Sequence, residues 1–166
     1  AIAMVEYGAF NFQRAMLADS FKVGRHDDDL LVAVETQHYD GPWEEPENFN
    51  KINLLARYAT GDAQNGSAYT ANAYDGSWTS TDHVARRAVD SGLINRFGTL
   101  DPTSGGTSSR YSLTGRWYGT DSDRRWDVSA YAYNYNLDLF SNFTYFLNDQ
   151  VNGDQFRQID RRWVQG

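Results

Sequence analysis

No cysteine occurs in the 166 residues, so disulfide staples and thiolate metal sites are excluded. Long apolar runs are missing as well. None approaches the roughly 20 residues a transmembrane helix requires, which excludes a helical membrane protein. It does not exclude a membrane β-barrel, whose strands are only half apolar and average out as hydrophilic. Positive charge is scarce: 15 Lys and Arg stand against 22 Asp and Glu, a net charge of −7 that gives nucleic-acid binding no electrostatic support. Ala1 to Val5 carry neither a basic region nor an Ala-x-Ala cleavage site, and they read as the middle of a strand. What is plentiful is Gly, Asn, Asp, Ser, Thr and Tyr, with a mean hydropathy of −0.67. That mixture suits many strands separated by polar turns.

Period-two alternation identifies the strands. In 51–60, Ile52, Leu54, Ala56 and Tyr58 share one parity and Asn53 and Arg57 the other. In 110–118, Tyr111, Leu113, Gly115 and Trp117 oppose Arg110, Ser112, Thr114 and Arg116. After Thr120–Asp123 the pattern resumes with Trp126, Val128, Ala130 and Ala132 opposite Asp127, Ser129 and Tyr131. Asn65-Gly66 favours positive φ and marks a hairpin between 51–60 and 67–75. The expectation is eight strands, at about 1–7, 15–22, 29–39, 51–60, 67–75, 109–119 and 124–139, with a last one starting at Arg161.

Connections between these strands are unequal. Tight turns fall at Gly24–Asp28, Gly61–Gly66 and Thr120–Asp123; wide connections fall at Asp40–Asn50, Trp78–Ser108 and Phe140–Arg161. An up-and-down sheet elaborated on one edge is the pattern of a transmembrane barrel, with short periplasmic turns and long extracellular loops. Tyr58 with Tyr69 and Trp117 with Trp126 flank two tight turns on the apolar parity, as half of an aromatic girdle would. Tyr39 with Trp43, and Trp78, are expected to mark the opposite rim. Arg57, Asn72, Arg110, Arg116 and Asp127 lie on the second parity and could not sit unpaired in a dry core, whereas a hydrated lumen accepts them. The fold class expected is therefore all-β: an antiparallel up-and-down transmembrane β-barrel segment of about eight strands.

Several stretches carry a more specific likeness. Gln37-His38-Tyr39-Asp40-Gly41-Pro42-Trp43 with Pro46-Glu47, Lys51 to Tyr58, Trp78 to Gly106, Arg110 to Leu113, Leu139 to Leu147 and Val151 to Phe156 resemble, in order, the barrel of TonB-dependent outer-membrane receptors. The resemblance implies a 22-stranded barrel with an N-terminal plug in the outer membrane of a Gram-negative bacterium. It also implies uptake of a scarce nutrient, such as a ferric siderophore, cobalamin or an oligosaccharide, powered from the inner membrane. Signal peptide, TonB-contacting segment and plug have no counterpart here, and Val164-Gln165-Gly166 lacks a terminal aromatic. Residues 1–166 are accordingly expected to be a central part of the receptor barrel. Expected partners are the nutrient ligand, outer-membrane lipid and the TonB system through the missing plug and N-terminus; no cofactor and no nucleic acid are expected. Alternatives are a self-contained eight-stranded outer-membrane adhesin or structural protein, and a soluble β-sheet module that binds carbohydrate through Tyr and Trp.

Candidate chemistry lies in the long loops. The 78–108 connection is long enough to be functional, and a short helix is expected in it, capped by Ser80 or Thr81, striped by Val84, Ala88 and Val89, and stopped at Gly92. Arg86, Arg87 and Arg96 could meet an anionic chelate, or pair with Asp82, Asp90 or Asp101 to hold the loop. Phe140, Phe143, Tyr145, Phe146 and Phe156 form the densest aromatic patch, with Tyr145 and Phe146 as ligand-stacking candidates; packing onto the barrel rim is the competing role. The acidic runs at Asp27–Asp29, Glu44-Glu45 and 149–154 lack calcium-loop spacing and read as solvated turns. His26, His38 and His83 offer no i, i+4 zinc pair. His38 near the outer rim is the one tempting base, but no nucleophile motif accompanies it, and enzymatic activity is not expected.

Overall fold

The computed structural model describes residues 1–26, 28–79, 83–142 and 147–166. Eight strands form one antiparallel sheet in chain order: β1 (Ile2–Gly8), β2 (Phe12–Val23), β3 (Asp28–Tyr39), β4 (Phe49–Gly61), β5 (Gly66–Thr79), β6 (Gly105–Asp121), β7 (Arg124–Ser141) and β8 (Phe156–Gln165). Each strand pairs with its sequence neighbour, and β1 and β8 are the two edges, so the sheet is not closed into a barrel. Among the described residues of the connection between β5 and β6 lies one short helix, α1 (Arg86–Asp90).

All eight expected strands are present, and most are longer than alternation suggested. β6 and β7 run 17 and 18 residues because their ladder continues past the apolar stretch through Gly105–Thr107 and Asp138–Phe140, where polarity no longer alternates. β8 begins at Phe156 rather than Arg161, since Arg157 and Phe156 still pair with Phe140 and Ser141. Backbone hydrogen bonding, rather than side-chain pattern, carries these ends.

One turn escaped the sequence. β1 and β2 are joined by Ala9–Asn11, with Phe10 and Asn11 both at φ 57° and a Phe12 N–H bond to the Ala9 carbonyl of 3.3 Å. Two successive positive φ values make a primed hairpin turn, but Phe-Asn is not the Asn-Gly pair that announces one. This tight turn lies on the same edge as the three wide connections, so the edge is not uniformly elaborated. The expected positive φ at Asn65-Gly66 is also displaced: Gly61 adopts φ 105°, and a Cβ there would collide with the Asn65 carbonyl oxygen. Gly66 instead lies beneath the Tyr118 ring, where a side chain would meet the phenol oxygen at 2.5 Å.

Register sorts the residues into two faces, because directly paired residues point the same way. One rung runs Leu17–Val34–Leu54–Ala73–Tyr111, the next Val32–Ala56–Ala71–Leu113–Ala132. Much of this face is uncovered: Leu17 is 53% exposed, Leu54 46%, Leu113 58% and, further toward the turns, Val128 53%, while Val34, Ala73 and Ala132 are half-buried. On the opposite face Glu6, Arg14, Glu35, Lys51, Asn53, Asn72 and Arg110 alternate with them, and Glu35, Lys51 and Asn53 are half-buried. Among the described residues the one buried apolar side chain is Ala88, in α1. The sheet has no hydrophobic core between layers.

Candidate functional site

The two edges of the sheet differ in construction. At the tight-turn edge, Asp62 accepts the backbone N–H groups of Gln64 and Asn65, both at 2.7 Å, which hold its carboxyl below the usual range. Neighbouring turns are tied together: the Tyr118 hydroxyl donates to the Asp62 carbonyl at 2.9 Å, and the Thr120 N–H donates to Asn65 Oδ1 at 3.0 Å. On the apolar face just inside this edge, Tyr58 stacks on Tyr69 with centroids 6.5 Å apart, and Trp117 meets Tyr69 edge-on at 5.8 Å. Trp117 Nε1–H donates to the Tyr69 hydroxyl at 2.9 Å. The Trp117 ring covers Gly115 and the Trp126 ring covers Gly119, each filling the space a side chain would have occupied. Tyr58, Tyr69 and Trp117 therefore form a continuous row, and Trp126 lies on the same face opposite Gly119, nearer the turn.

Among the described residues no matching row forms on the apolar face at the opposite edge. Trp78 pairs with Gly106, one residue out of phase with Ser77, so it faces the polar side, as does Tyr39, which pairs with Phe49 and meets Phe12 edge-on at 6.0 Å. Trp43 is drawn into the loops, 6.2 Å from Phe97. In place of aromatics the apolar face ends on a polar rung, Gln13–His38–Asn50–Ser77–Thr107–Asp138.

Above that rung the connections are stitched into one canopy. The Asp40 N–H donates to the Phe10 carbonyl at 3.0 Å, joining the β1–β2 turn to the 40–48 loop. That loop closes on itself through the Glu47 N–H to the Asp40 carbonyl at 2.8 Å, then joins the 83–104 stretch through the Glu44 N–H to the Phe97 carbonyl at 3.0 Å. Asn95 also donates to the Glu44 carboxylate. Asp101 completes the series: it accepts from the Thr103 N–H at 2.9 Å and from Asn142 Nδ2 at 2.9 Å, and Gln155 reaches both Asp101 and Thr103. Burial raises the Asp101 carboxyl, but the hydrogen bonds from Thr103 and Asn142 outweigh it and hold the group below its usual range. Further along, Asp149 accepts the N–H groups of Val151 and Asn152 at 3.0 and 2.9 Å, and Asp154 those of Asn148 and Asp149 at 2.8 and 2.7 Å. The 149–154 run is thus a set of turn-capping carboxylates.

α1 is a single turn, with Ala85 rather than a hydroxyl residue at its N-cap; Ser80 and Thr81 lie outside the described residues, as does Asp82. Gly92, at φ 73°, does end it. The three arginines diverge. Arg86 forms an i, i+4 pair with Asp90 at 3.4 Å while remaining 92% exposed. Arg96 is exposed on the next turn of chain, and Asp101 bonds to amides and hydroxyls rather than to an arginine. Arg87 alone lines a cleft, of about 530 Å³, together with Leu93, Ile94, Leu100 and Leu147. Tyr145 and Phe146, like Phe143, fall outside the described residues. Phe140 and Phe156 belong to strands, and Phe140 lies 5.1 Å beneath the Arg157 guanidinium.

No protein-family model, curated protein or solved structure matches the chain. The site therefore stands on its own geometry. Among the described residues no three His, Asp or Glu side chains converge on a metal position. The cleft combines the Arg87 guanidinium with four aliphatic side chains and the polar Thr99 and Gln150. The Asp101 hub was missed in the sequence, although Asp101-Pro102-Thr103 carried a signal for it: an Asp that hydrogen-bonds its own backbone two residues on. The partners Asn142 and Gln155, 41 and 54 positions away, carried none.

Proposed function

We propose that the chain forms part of the wall and external loops of a TonB-dependent outer-membrane receptor, an importer of a scarce nutrient such as a ferric siderophore, cobalamin or an oligosaccharide. The observation that carries this is the inverted sheet: exposed aliphatics on one face, half-buried ions and amides on the other, and no core between them. In water such a face would be a large apolar patch; against lipid hydrocarbon it is the solvated surface. β2 to β7, at 12 to 18 residues, exceed the roughly 9–11 that a tilted membrane strand needs. The aromatic row beside the tight turns fits a lipid headgroup boundary. Open edges at β1 and β8 leave backbone groups for further strands, since lipid cannot satisfy them. On this proposal the loop canopy faces outward, and the cleft at Arg87 and Leu147 contributes to ligand capture above a plug supplied elsewhere.

Because cysteine is absent, single cysteines can be placed freely. With fluorophores at Leu54→Cys and Leu113→Cys, lipid-borne quenchers in vesicles should quench strongly, while Asn53→Cys and Ser112→Cys should respond to a water-soluble quencher. Aqueous quenching at Leu54 and Leu113 in a folded sample would eliminate the membrane wall and leave the soluble carbohydrate-binding module. A monomeric, heat-modifiable species would instead favour a small self-contained barrel.

A further inference from the structure

β7 reverses the division of faces along its length. Through Ala132 its apolar parity carries Trp126, Val128 and Ala130, and its polar parity Asp127 and Ser129. Further on, the first parity turns polar with Asn134, Asn136 and Asp138, while the second becomes Tyr131, Tyr133, Tyr135, Leu137 and Leu139. A stripe of rings thus stands on the side that elsewhere holds ions and amides. Tyr131 and Tyr133 keep their rings nearly parallel, at 13° with centroids 6.5 Å apart. Register puts Tyr135 in one rung with Tyr74, Arg110 and Arg162, and Tyr133 in the next with Ser112. Arg110, Ser112, Tyr133, Tyr135 and Arg162 line a hollow of about 440 Å³. Its two guanidiniums differ. Arg162 is taken by Asp160, which accepts from Nε at 2.8 Å and lies 2.7 Å from the terminal nitrogen. Arg110 is exposed in the hollow and meets no carboxylate or other acceptor among the described residues. Ser112 Oγ accepts a long bond from Asn72, at 3.4 Å, and keeps its own hydrogen to donate.

We infer that this hollow binds a carboxylated oligosaccharide, with Arg110 holding the carboxylate and the tyrosines from Tyr131 to Tyr135 supporting successive sugar rings. Charge complementarity requires the anion: a guanidinium with free donors takes a carboxylate bidentately, and this one has no partner within the described structure. The lining requires the sugar. Each phenol offers a flat apolar face that ends in a hydroxyl, and no aliphatic side chain lines the hollow, so it matches a ligand with apolar ring faces and polar edges. A hydrocarbon anion would leave Ser112 and the phenol hydroxyls unmet. Repetition requires length. Three tyrosines at alternate positions, each about 7 Å further along the strand, suit a ligand built from repeated rings. The site names the class of nutrient for the proposed importer and rests on that reading for its part in uptake; its binding chemistry needs only the uncovered polar face.

The test is calorimetric titration of the refolded full chain with trigalacturonate, set against neutral maltotriose and against benzoate. Trigalacturonate should bind at least about tenfold tighter than either, the worth of one charge-assisted bond, and its affinity should fall in salt. Arg110→Gln should bring trigalacturonate to the level of the neutral sugar, whereas Arg116→Gln, whose native partner is Asp127, should leave its affinity unchanged. Tyr135→Leu should weaken both sugars. Tyrosine ring resonances of the native chain need no variant: those of Tyr133 and Tyr135 should shift on titration while those of Tyr58 and Tyr69 stay. Absent trigalacturonate binding, equal binding of maltotriose, tighter binding of benzoate, affinity that survives Arg110→Gln, or shifts confined to other tyrosines overturns the site. Failure of the importer reads separately. Trigalacturonate binding by a chain whose Leu54 and Leu113 positions are quenched from water keeps the site and removes the membrane wall; a lipid-quenched chain that ignores trigalacturonate does the reverse.

Discussion

β4 displays the difference between the two faces within a few residues. Ile52, Leu54 and Ala56 are exposed, whereas Lys51, Asn53 and Leu55 between them are half-buried. In a water-soluble sheet the apolar parity is the one covered. Here the polar parity is better covered, because its long side chains lean on one another: Glu35 takes Lys51 Nζ at 2.9 Å and Arg14 Nε at 3.0 Å, and Arg14 reaches on to Glu6 at 2.9 Å. Ion pairs spanning four strands, with a separate pair of Arg116 and Asp127 near the turns, mean that this face organises itself by charge. The middle of the other face offers mostly carbon and must be matched by its surroundings. Its charged residues include Asp19, met by the Ala1 amino group at 3.2 Å, Asp75, and Asp138, which pairs with Arg157.

Exchanging the faces should break the comparison most severely. Leu113→Arg in the middle of the apolar band should lower unfolding stability in phospholipid vesicles by about 2–4 kcal/mol, the cost of arginine near a bilayer midplane. Ser112→Arg, one residue away on the opposite face, should cost less than about 1 kcal/mol. Denaturant titration followed by Trp fluorescence measures both, and equal costs would mean that the faces share one solvent. Trp117→Ala comes next. It removes the Tyr69 contact and hydrogen bond and uncovers Gly115, an expected loss of about 1–2 kcal/mol, while Trp117→Phe should recover part of it.

Glu35→Gln sharpens the comparison from the polar side. It leaves Arg14 and Lys51 sharing an uncharged amide in a half-buried position, with an expected loss of about 1 kcal/mol that diminishes in high salt. At the canopy the effect is smaller and local. The Asp101 carboxyl is held low, so its contribution is complete above its unfolded value of about 4 and disappears as pH falls through the lower folded value. Hydrogen exchange at the Ser104 amide, bonded to the Asp101 carbonyl at 3.2 Å, should accelerate in that acid range. Asp101→Asn should reproduce the acceleration at neutral pH with global stability changed by no more than about 0.5 kcal/mol.

The strands were legible where side chains alternate. Ile52-Asn53-Leu54 and Tyr111-Ser112-Leu113 state their parity outright, and since each strand pairs with its neighbour, parity fixed the rungs. The aromatics near the tight turns were legible for the same reason, being inside the alternating stretch. Trp78 and Tyr39 do stand at the strand ends where the long loops begin, but on the polar face, because alternation fades before the strands end and a one-residue phase difference puts a ring on the opposite face. The arginines of the long loop were recognised as chemistry-bearing, but their separation was not foreseeable. Arg86 and Arg87 are adjacent in sequence, yet one points along the helix to Asp90 and the other lines the cleft.

Local chemistry settled the turns only where the signal was conventional. Asp62 capping two amides follows from an Asp beside a Gly, while Phe10 and Asn11 at positive φ follow from nothing within the turn itself; the pairing of Gly8 with Phe12 imposes it. The sequence by itself determined the number of strands, their antiparallel succession and the chemical character of each face, because period-two alternation and short polar connections are local properties of the chain. The tertiary structure alone decided that the sheet stays open, that Asp101 gathers Asn142 and Gln155, and that His38 stands between Asn11 and Asp40. Those depend on residues tens of positions apart being brought within 3.5 Å, and no local pattern encodes that distance.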